Sequence, residues 1–100
     1  MIMVKHIVMF RLSGESSERN AMASEFKTAI EALPAKIESL TQVEVGINDG
    51  PAAGNWHIAL TAVCPDYDAL ADYSAHPEHL KCVAIIKPNI EARACVDYME

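Results

Sequence analysis

Four histidines are the residues of this chain best suited to proton transfer near neutral pH: His6, His57, His76 and His79. Imidazole is the side chain whose ordinary pKa lies closest to pH 7, so each can serve as a general base, a general acid or a metal ligand. Tyr73 lies close by in sequence to His76 and His79 and supplies a phenol. A histidine can then remove a proton from the carbon next to a carbonyl group, while the tyrosine phenol stabilises the developing oxyanion.

Each of these residues also has an ordinary structural explanation. His6 and His57 lie in apolar segments, where a buried histidine that bonds to backbone or water is common. His76 directly precedes Pro77, an arrangement typical of a helix cap followed by proline at the first helical position. Tyr73 stands at helical spacing from apolar neighbours and can be plain core.

Metal binding is the alternative for His76 and His79, which are three residues apart. A zinc site needs about three or four ligands, and Asp72, Glu78 and His57 are available to complete one. Nothing in the spacing requires this, so we predict no metal site.

The other motifs that carry chemistry are missing from the sequence. The three cysteines are far apart, form no CxxC motif and have no histidine at a spacing that would suggest a catalytic thiol; they are Cys64, Cys82 and Cys95. We expect reduced, partly buried thiols, which are typical of a cytoplasmic protein. The glycines of the central region surround a turn and do not precede a helix, so no phosphate loop is predicted. No motif specifies a cofactor, and we expect none.

Length and charge limit the function further. One hundred residues make one domain, which we place at residues 1–100. The net charge is −6, and the eight basic residues are scattered, so nucleic acid and anionic membranes are unlikely partners. The segment Met1–His6 reaches a charge too early for a secretory signal, and no apolar run is long enough to span a membrane. We therefore expect a cytoplasmic protein.

Hydrophobic patterning predicts four strands and two helical regions. An apolar stripe at helical spacing runs from Met22 to Leu40, and Pro34 should break it near Leu33. Asp66 can cap a second helix that ends near Tyr73, and another short helix should start at Pro77. The strands are predicted at 2–12, 42–47, 55–63 and 92–99, with a loop at 87–89.

This order of elements is βαββαβ, which predicts an α+β, ferredoxin-like antiparallel sheet with the helices on one face. The strand rows that contain His6 and His57 are expected to face the helices. The open face is then expected to carry apolar side chains, listed as Met3, Ile7, Met9, Trp56, Ile58 and Leu60. A monomer rarely exposes so large an apolar patch, so the sequence predicts a homodimer that packs sheet against sheet.

Four segments in this order resemble the stress-responsive dimeric α/β-barrel (Dabb) family. They are Val4-Lys5-His6-Ile7-Val8-Met9-Phe10, Val43-Glu44-Val45-Gly46-Ile47-Asn48, Tyr73-x-x-His76-Pro77-x-His79 and Val96-Asp97-Tyr98. The resemblance extends from Met3 to Met99. It implies a ferredoxin-like protomer that pairs with a second copy to close a barrel.

The resemblance also implies roles for particular residues. One member of the family, a plant polyketide cyclase, catalyses a cofactor-free aldol cyclisation with a histidine base that a tyrosine orients. By position these are similar to His79 and Tyr73, the implied catalytic pair, and the histidines of its pocket are similar to His6 and His57, the implied substrate-binding pair. The cyclase has a further tyrosine on its long helix where this chain has Phe26 and its neighbours, so a different substrate is expected. A non-catalytic, stress-associated structural dimer is the alternative, since many members have no assigned reaction.

Overall fold

The elements follow the βαββαβ order. A computed structural model describes residues 2–100, so Met1 lies outside the described part of the predicted domain. Its strands are β1 (Val4–Leu12), β2 (Gln42–Ile47), β3 (Ile58–Cys64) and β4 (Ile90–Met99). Its helices are α1 (Ser16–Glu31), α2 (Tyr67–Ala75) and α3 (Pro77–Ile86), with short 3₁₀ turns at Leu33–Ala35 and Lys87–Asn89. The first turn contains Pro34, which confirms the predicted break after the long helix.

The four strands form one antiparallel sheet in the order β2-β3-β1-β4. In β1, Val8 lies directly opposite Leu60 of β3 and Cys95 of β4, and Val45 of β2 is opposite Leu60. Because directly opposite residues project to the same side of an antiparallel sheet, these four residues share one face. That face is the one that the helices cover, as predicted for a ferredoxin-like fold.

The core is the aliphatic layer between this face and the helices. From α1 it receives Ala23, Phe26 and Ile30, and the rings of Phe26 and Phe10 meet edge to face with centroids 5.8 Å apart. The α1 helix packs on β2 and α3, while α2 packs on β1 and β3. Among the helices described over residues 2–100, none combines the length and apolarity that crossing a bilayer requires.

The prediction of which row of β3 faces the helices was wrong. Ile58 and Leu60 are only 2% and 3% exposed and lie beneath the helices, whereas Ala59, Thr61 and Val63 lie on the open face. Because both rows of β3 are apolar, the alternation of its residues predicted a strand but could not show which row faces the helices. The pairing with β1 decides this, because Val8 is already on the helix side.

The open face has a mixed surface with an apolar strip along its centre and its β4 edge. Val96, Met9 and Tyr98 are exposed by 62%, 42% and 41%, and Ile7 lies half-buried between Val96 and Thr61. Trp56 precedes β3 and borders a groove at one end of this face beside Met9, Gly46 and Ala59. Ile7, Met9 and Trp56 therefore lie on the predicted side of the sheet, and Ile58 and Leu60 do not; Met3 precedes β1.

His57 was expected on the helix face. It lies immediately before β3, and its backbone continues the hydrogen bonding between β3 and β1. Its backbone N–H donates to the Phe10 carbonyl at 3.0 Å, and its ring Nδ1 accepts the Leu12 N–H at 2.9 Å. A nitrogen that accepts is unprotonated, so this contact requires the neutral ring. Burial lowers the pKa of His57, and the positive charges of Arg19 and Arg11 act in the same direction.

We predict that His57 makes stability fall in mild acid. Its folded-state pKa lies below the ordinary 6.5, so the unfolded chain binds the proton first, and the contribution is complete above pH 6.5 and lost as pH falls through the folded-state pKa. In His57→Asn the amide oxygen takes the position of Nδ1, so it keeps an acceptor for the Leu12 N–H and does not titrate. Urea unfolding at pH 7.5 and pH 5, at fixed protein concentration, should show the wild type losing about 1 kcal/mol more than the variant, the net worth of one hydrogen bond. An equal loss in both proteins contradicts this role.

Candidate functional site

A cavity of about 290 Å³ lies between the sheet and the α2–α3 pair. It brings together His6, Tyr73 and His79, three of the four site residues that the family resemblance implies. Most of the remaining wall is apolar and comes from Val8, Phe10, Phe26, Leu60, Leu80, Val83 and Ile90, with Ser74 and Arg93 also contributing. The fourth candidate, His57, borders two separate grooves near the Trp56 end of the sheet. One of these is larger, at about 520 Å³, but it holds neither Tyr73 nor His79.

Two local signals in the sequence place Tyr73 and His79 next to each other. Asp66 caps α2 by accepting the Ala69 N–H at 2.8 Å, and α2 then carries Tyr73 inward. His76 ends α2 and caps α3, because its Nδ1 accepts the Glu78 N–H at 3.1 Å. The change of direction at His76 puts His79 in the first turn of α3, with its ring centroid 4.4 Å from that of Tyr73. The predicted capping role of His76 is confirmed.

A single hydrogen bond defines the protonation pattern of His79. Its Nδ1 lies 3.0 Å from the carbonyl oxygen of Ser74. Since a carbonyl can only accept, Nδ1 carries the proton and the neutral ring has its lone pair on Nε2. Burial lowers the pKa of His79, and the positive charges of His6, Arg93 and His76 add to that effect, while the bond to Ser74 opposes it. The ring is therefore neutral at pH 7 and offers Nε2 as a base.

Tyr73 is fully buried and its hydroxyl has no hydrogen-bond partner within residues 2–100. Leaving a buried hydroxyl unpaired costs about 1–3 kcal/mol, and such groups are rare in folded proteins. Burial raises the pKa of Tyr73, and the nearby Cys64 and Cys82 thiols act in the same direction. The phenol therefore stays protonated and keeps a donor.

His6 is also buried, at 8% exposure, and meets the ring of Tyr73 edge-on at 6.4 Å between centroids. Its Nδ1 lies 2.5 Å from the carboxylate oxygen of Asp97, and the Cys95 sulfur lies 3.5 Å from that nitrogen. Asp97 is opposite His6 in the β1–β4 ladder. The pairing of β4 with β1 is what places these polar groups beside His6, which itself lines the cavity.

Sequence reasoning gave no role to Arg93, Cys95 or Asp97. The signal was nonetheless present, since these residues alternate along the last predicted strand and therefore share one row. That row acquires meaning only when β4 is paired with β1, which places it beside His6.

The metal alternative considered for His76 and His79 gains little from this geometry. Both Nδ1 atoms take part in hydrogen bonds with the backbone, and His57 lies elsewhere. Over the described residues, the cluster of three potential ligands is formed by His6, Cys95 and Asp97. The three thiols are free, with Cys64 and Cys82 buried and Cys95 exposed.

Comparisons with known proteins identify a family and several solved structures that this chain resembles. A family model described as the stress responsive A/B barrel domain matches residues 4–100. A comparison with curated proteins finds no match. Among solved structures, a dimeric protein of unknown function with a ferredoxin-like fold from Bacteroides fragilis is 44% identical, with a TM-score of 0.91 over 96% of this chain and 94% of that one.

Two further structures extend the comparison. A dimeric ferredoxin-like protein of unknown function from Thermobifida fusca is 30% identical, with a TM-score of 0.78 over 97% of this chain and 90% of that one. A hydroxynitrile lyase from Passiflora edulis shares the fold at 15% identity, with a TM-score of 0.72 over 98% of this chain and 93% of that one. With its four-stranded sheet, its helices on one face and a family match over nearly its full length, the chain belongs to the stress responsive A/B barrel domain (Dabb) family.

Proposed function

We propose that this protein is a homodimer that binds a small apolar, carbonyl-bearing molecule in the cavity of each protomer and transfers a proton on it without a cofactor. The observation that carries the proposal is the state of His79. Its Nδ1–H is committed to the Ser74 carbonyl, and this leaves Nε2 as a base beside the unpaired phenol of Tyr73.

The cavity favours a small and mainly apolar ligand. Its volume of about 290 Å³ is at the lower end of the range for small-molecule sites, roughly 300–1,000 Å³. Aliphatic and phenyl side chains form most of its wall, and a few polar groups can orient the ligand; His6 and Arg93 are the ones on the sheet. That combination is typical of sites that hold an apolar molecule by one polar end.

Opposite pKa shifts support the two chemical roles. His79 has its pKa lowered and is free to take a proton, and Tyr73 has its pKa raised and keeps the one it holds. In the proposed step, Nε2 of His79 takes a proton from the carbon next to the carbonyl group. The electron pair of the broken C–H bond moves to the carbonyl oxygen, which accepts a hydrogen bond from Tyr73. The imidazolium then returns the proton to the product, so the enzyme ends as it began.

The lyase with this fold supports the proposal at the level of architecture. The protein from Passiflora edulis is named as a hydroxynitrile lyase, so the fold is compatible with a lyase active site. Its low identity to this chain leaves the substrate here to be found by experiment.

The open face of the sheet supports the dimer. Val96, Met9 and Tyr98 expose apolar surface on the side that no helix covers, and soluble monomers rarely leave such a patch unpaired. Two solved relatives at 44% and 30% identity are described as dimeric. A stress-associated dimer without catalysis is the second candidate, and it shares this interface.

We predict that His79 and Tyr73 are both needed for proton exchange. Phenylacetone serves as the probe, and loss of its α-protons to deuterium is followed by NMR in heavy water. His79→Gln should slow the protein-dependent exchange by about 100- to 10,000-fold because the base is removed. Tyr73→Phe should slow it by about 100- to 1,000-fold, the usual effect of losing one oxyanion donor. In the wild type the rate should rise with pH and reach half its maximum below pH 6.5, because the base must be neutral.

His57→Asn is the matched control, since it changes a histidine that lies outside this cavity and keeps an acceptor for the Leu12 N–H. Its exchange rate should equal that of the wild type. If the wild type gives no exchange above buffer and phenylacetone does not perturb the His79 or Tyr73 resonances, the non-catalytic candidate is favoured instead.

We also predict that a charge on the open face separates the protomers. Val96→Glu should convert a micromolar solution from dimer to monomer in sedimentation velocity, because a carboxylate cannot be buried there without a partner. Ala21→Glu adds the same charge on the exposed side of α1 and should stay dimeric. Circular dichroism establishes that both variants are folded. A wild-type protein that sediments as a monomer at micromolar concentration contradicts the proposed interface.

A further inference from the structure

Three different ligand types meet where β4 pairs with β1, beside the cavity-lining residue His6. The His6 Nδ1 and the Asp97 Oδ1 are 2.5 Å apart, and the Cys95 sulfur lies 3.5 Å from each of them. All three atoms lie within 4.8 Å of one another, close enough for one metal ion to contact them all. The proposed acid–base chemistry uses neither Cys95 nor Asp97.

The distances resemble those of a tetrahedral zinc site. With Zn–S near 2.3 Å and Zn–N or Zn–O near 2.05 Å, tetrahedral geometry separates sulfur from nitrogen or oxygen by about 3.5 Å, and nitrogen from oxygen by about 3.3 Å. Both distances from the Cys95 sulfur already have this value. The nitrogen and the oxygen must move apart by about 0.8 Å, a change that a rotation of the Asp97 carboxylate, whose side chain is 35% exposed, can supply.

We propose that His6, Cys95 and Asp97 bind a zinc ion through Nδ1, Sγ and a carboxylate oxygen. A thiolate, an imidazole and a carboxylate together suit zinc, whereas magnesium and calcium prefer oxygen ligands alone. The thiolate and the carboxylate supply two negative charges, which balance the ion. Three protein ligands leave a fourth position for water or for an atom of a bound molecule.

The surroundings bear on how the ion is held. The exposed Cys95 and Asp97 give it a path from solvent. Burial and the neighbouring carboxylate of Asp97 raise the pKa of the Cys95 thiol, and Arg93 opposes them. A bound cation displaces the thiol proton, so binding should weaken as pH falls. This site goes beyond the proposed acid–base function and does not depend on it, because the base His79 and the donor Tyr73 are not ligands; His6 is the residue that the two proposals share.

Cobalt is the probe, because its bond to a thiolate absorbs light. The full-length reduced protein is freed of metal with a chelator and titrated with Co²⁺. We expect one ion per chain, a thiolate-to-cobalt charge-transfer band in the near ultraviolet, and loss of that band when Zn²⁺ is added. Cys95→Ser should abolish the band. Asp97→Asn should weaken binding at least about 100-fold, because changes in the outer shell alone cost 10- to 100-fold.

Matched controls separate this site from general attraction to acidic groups or to other thiols. Glu91→Gln removes one negative charge from the same strand, and Cys82→Ala removes a thiol that is not in the cluster. Both should bind Co²⁺ like the wild type. The proposal is overturned if Cys95→Ser keeps the band, if Asp97→Asn binds as tightly as the wild type, or if Glu91→Gln weakens binding as much as Asp97→Asn. Because Cys95 and Asp97 are exposed, their variants should fold, and circular dichroism checks this.

Discussion

The pairing of β1 between β3 and β4 is the constraint on which the other features depend. Helices cover only one side of this sheet, so every strand residue projects either to the helix side or to the open face. With Val8 under the helices, the ladders place Leu60 there and bring Asp97 level with His6. The same parity leaves Met9 and Val96 on the other side, where a second protomer is proposed to pack.

The junction of α2 and α3 is the second determinant of the site. In one continuous helix, Tyr73 and His79 would be six residues apart, and their side chains would project from different sides of the helix. The cap at His76 and the proline after it end one helix and start another. This turn brings the two rings into contact and directs the Nδ1–H of His79 to the Ser74 carbonyl. Burial then moves the pKa values of the two residues in opposite directions, since it disfavours the charged form of each.

Local chemistry explains why much of this could be predicted from sequence. Asp66 and His76 act as caps through backbone groups two or three residues away, and Pro34 interrupts the helix by its own geometry. The structure brings together at one cavity His6, Tyr73 and His79, three of the residues for which the family resemblance implied roles. The placement of His57 failed, because its segment is apolar on both rows and therefore has no preferred face of its own.

The sequence by itself determined the order of the elements, the starts of the two helices that Asp66 and His76 cap, and a sheet whose two sides are both partly apolar. Those features arise from side chains acting on neighbouring backbone, or from periodicity along one segment. Only the tertiary structure decided which row of β3 faces the helices, that His57 accepts a hydrogen bond from Leu12, and that Asp97 and Cys95 meet His6. The physical reason is that these contacts join residues dozens of positions apart through strand register, and a shift of one residue would move each of them to the opposite face.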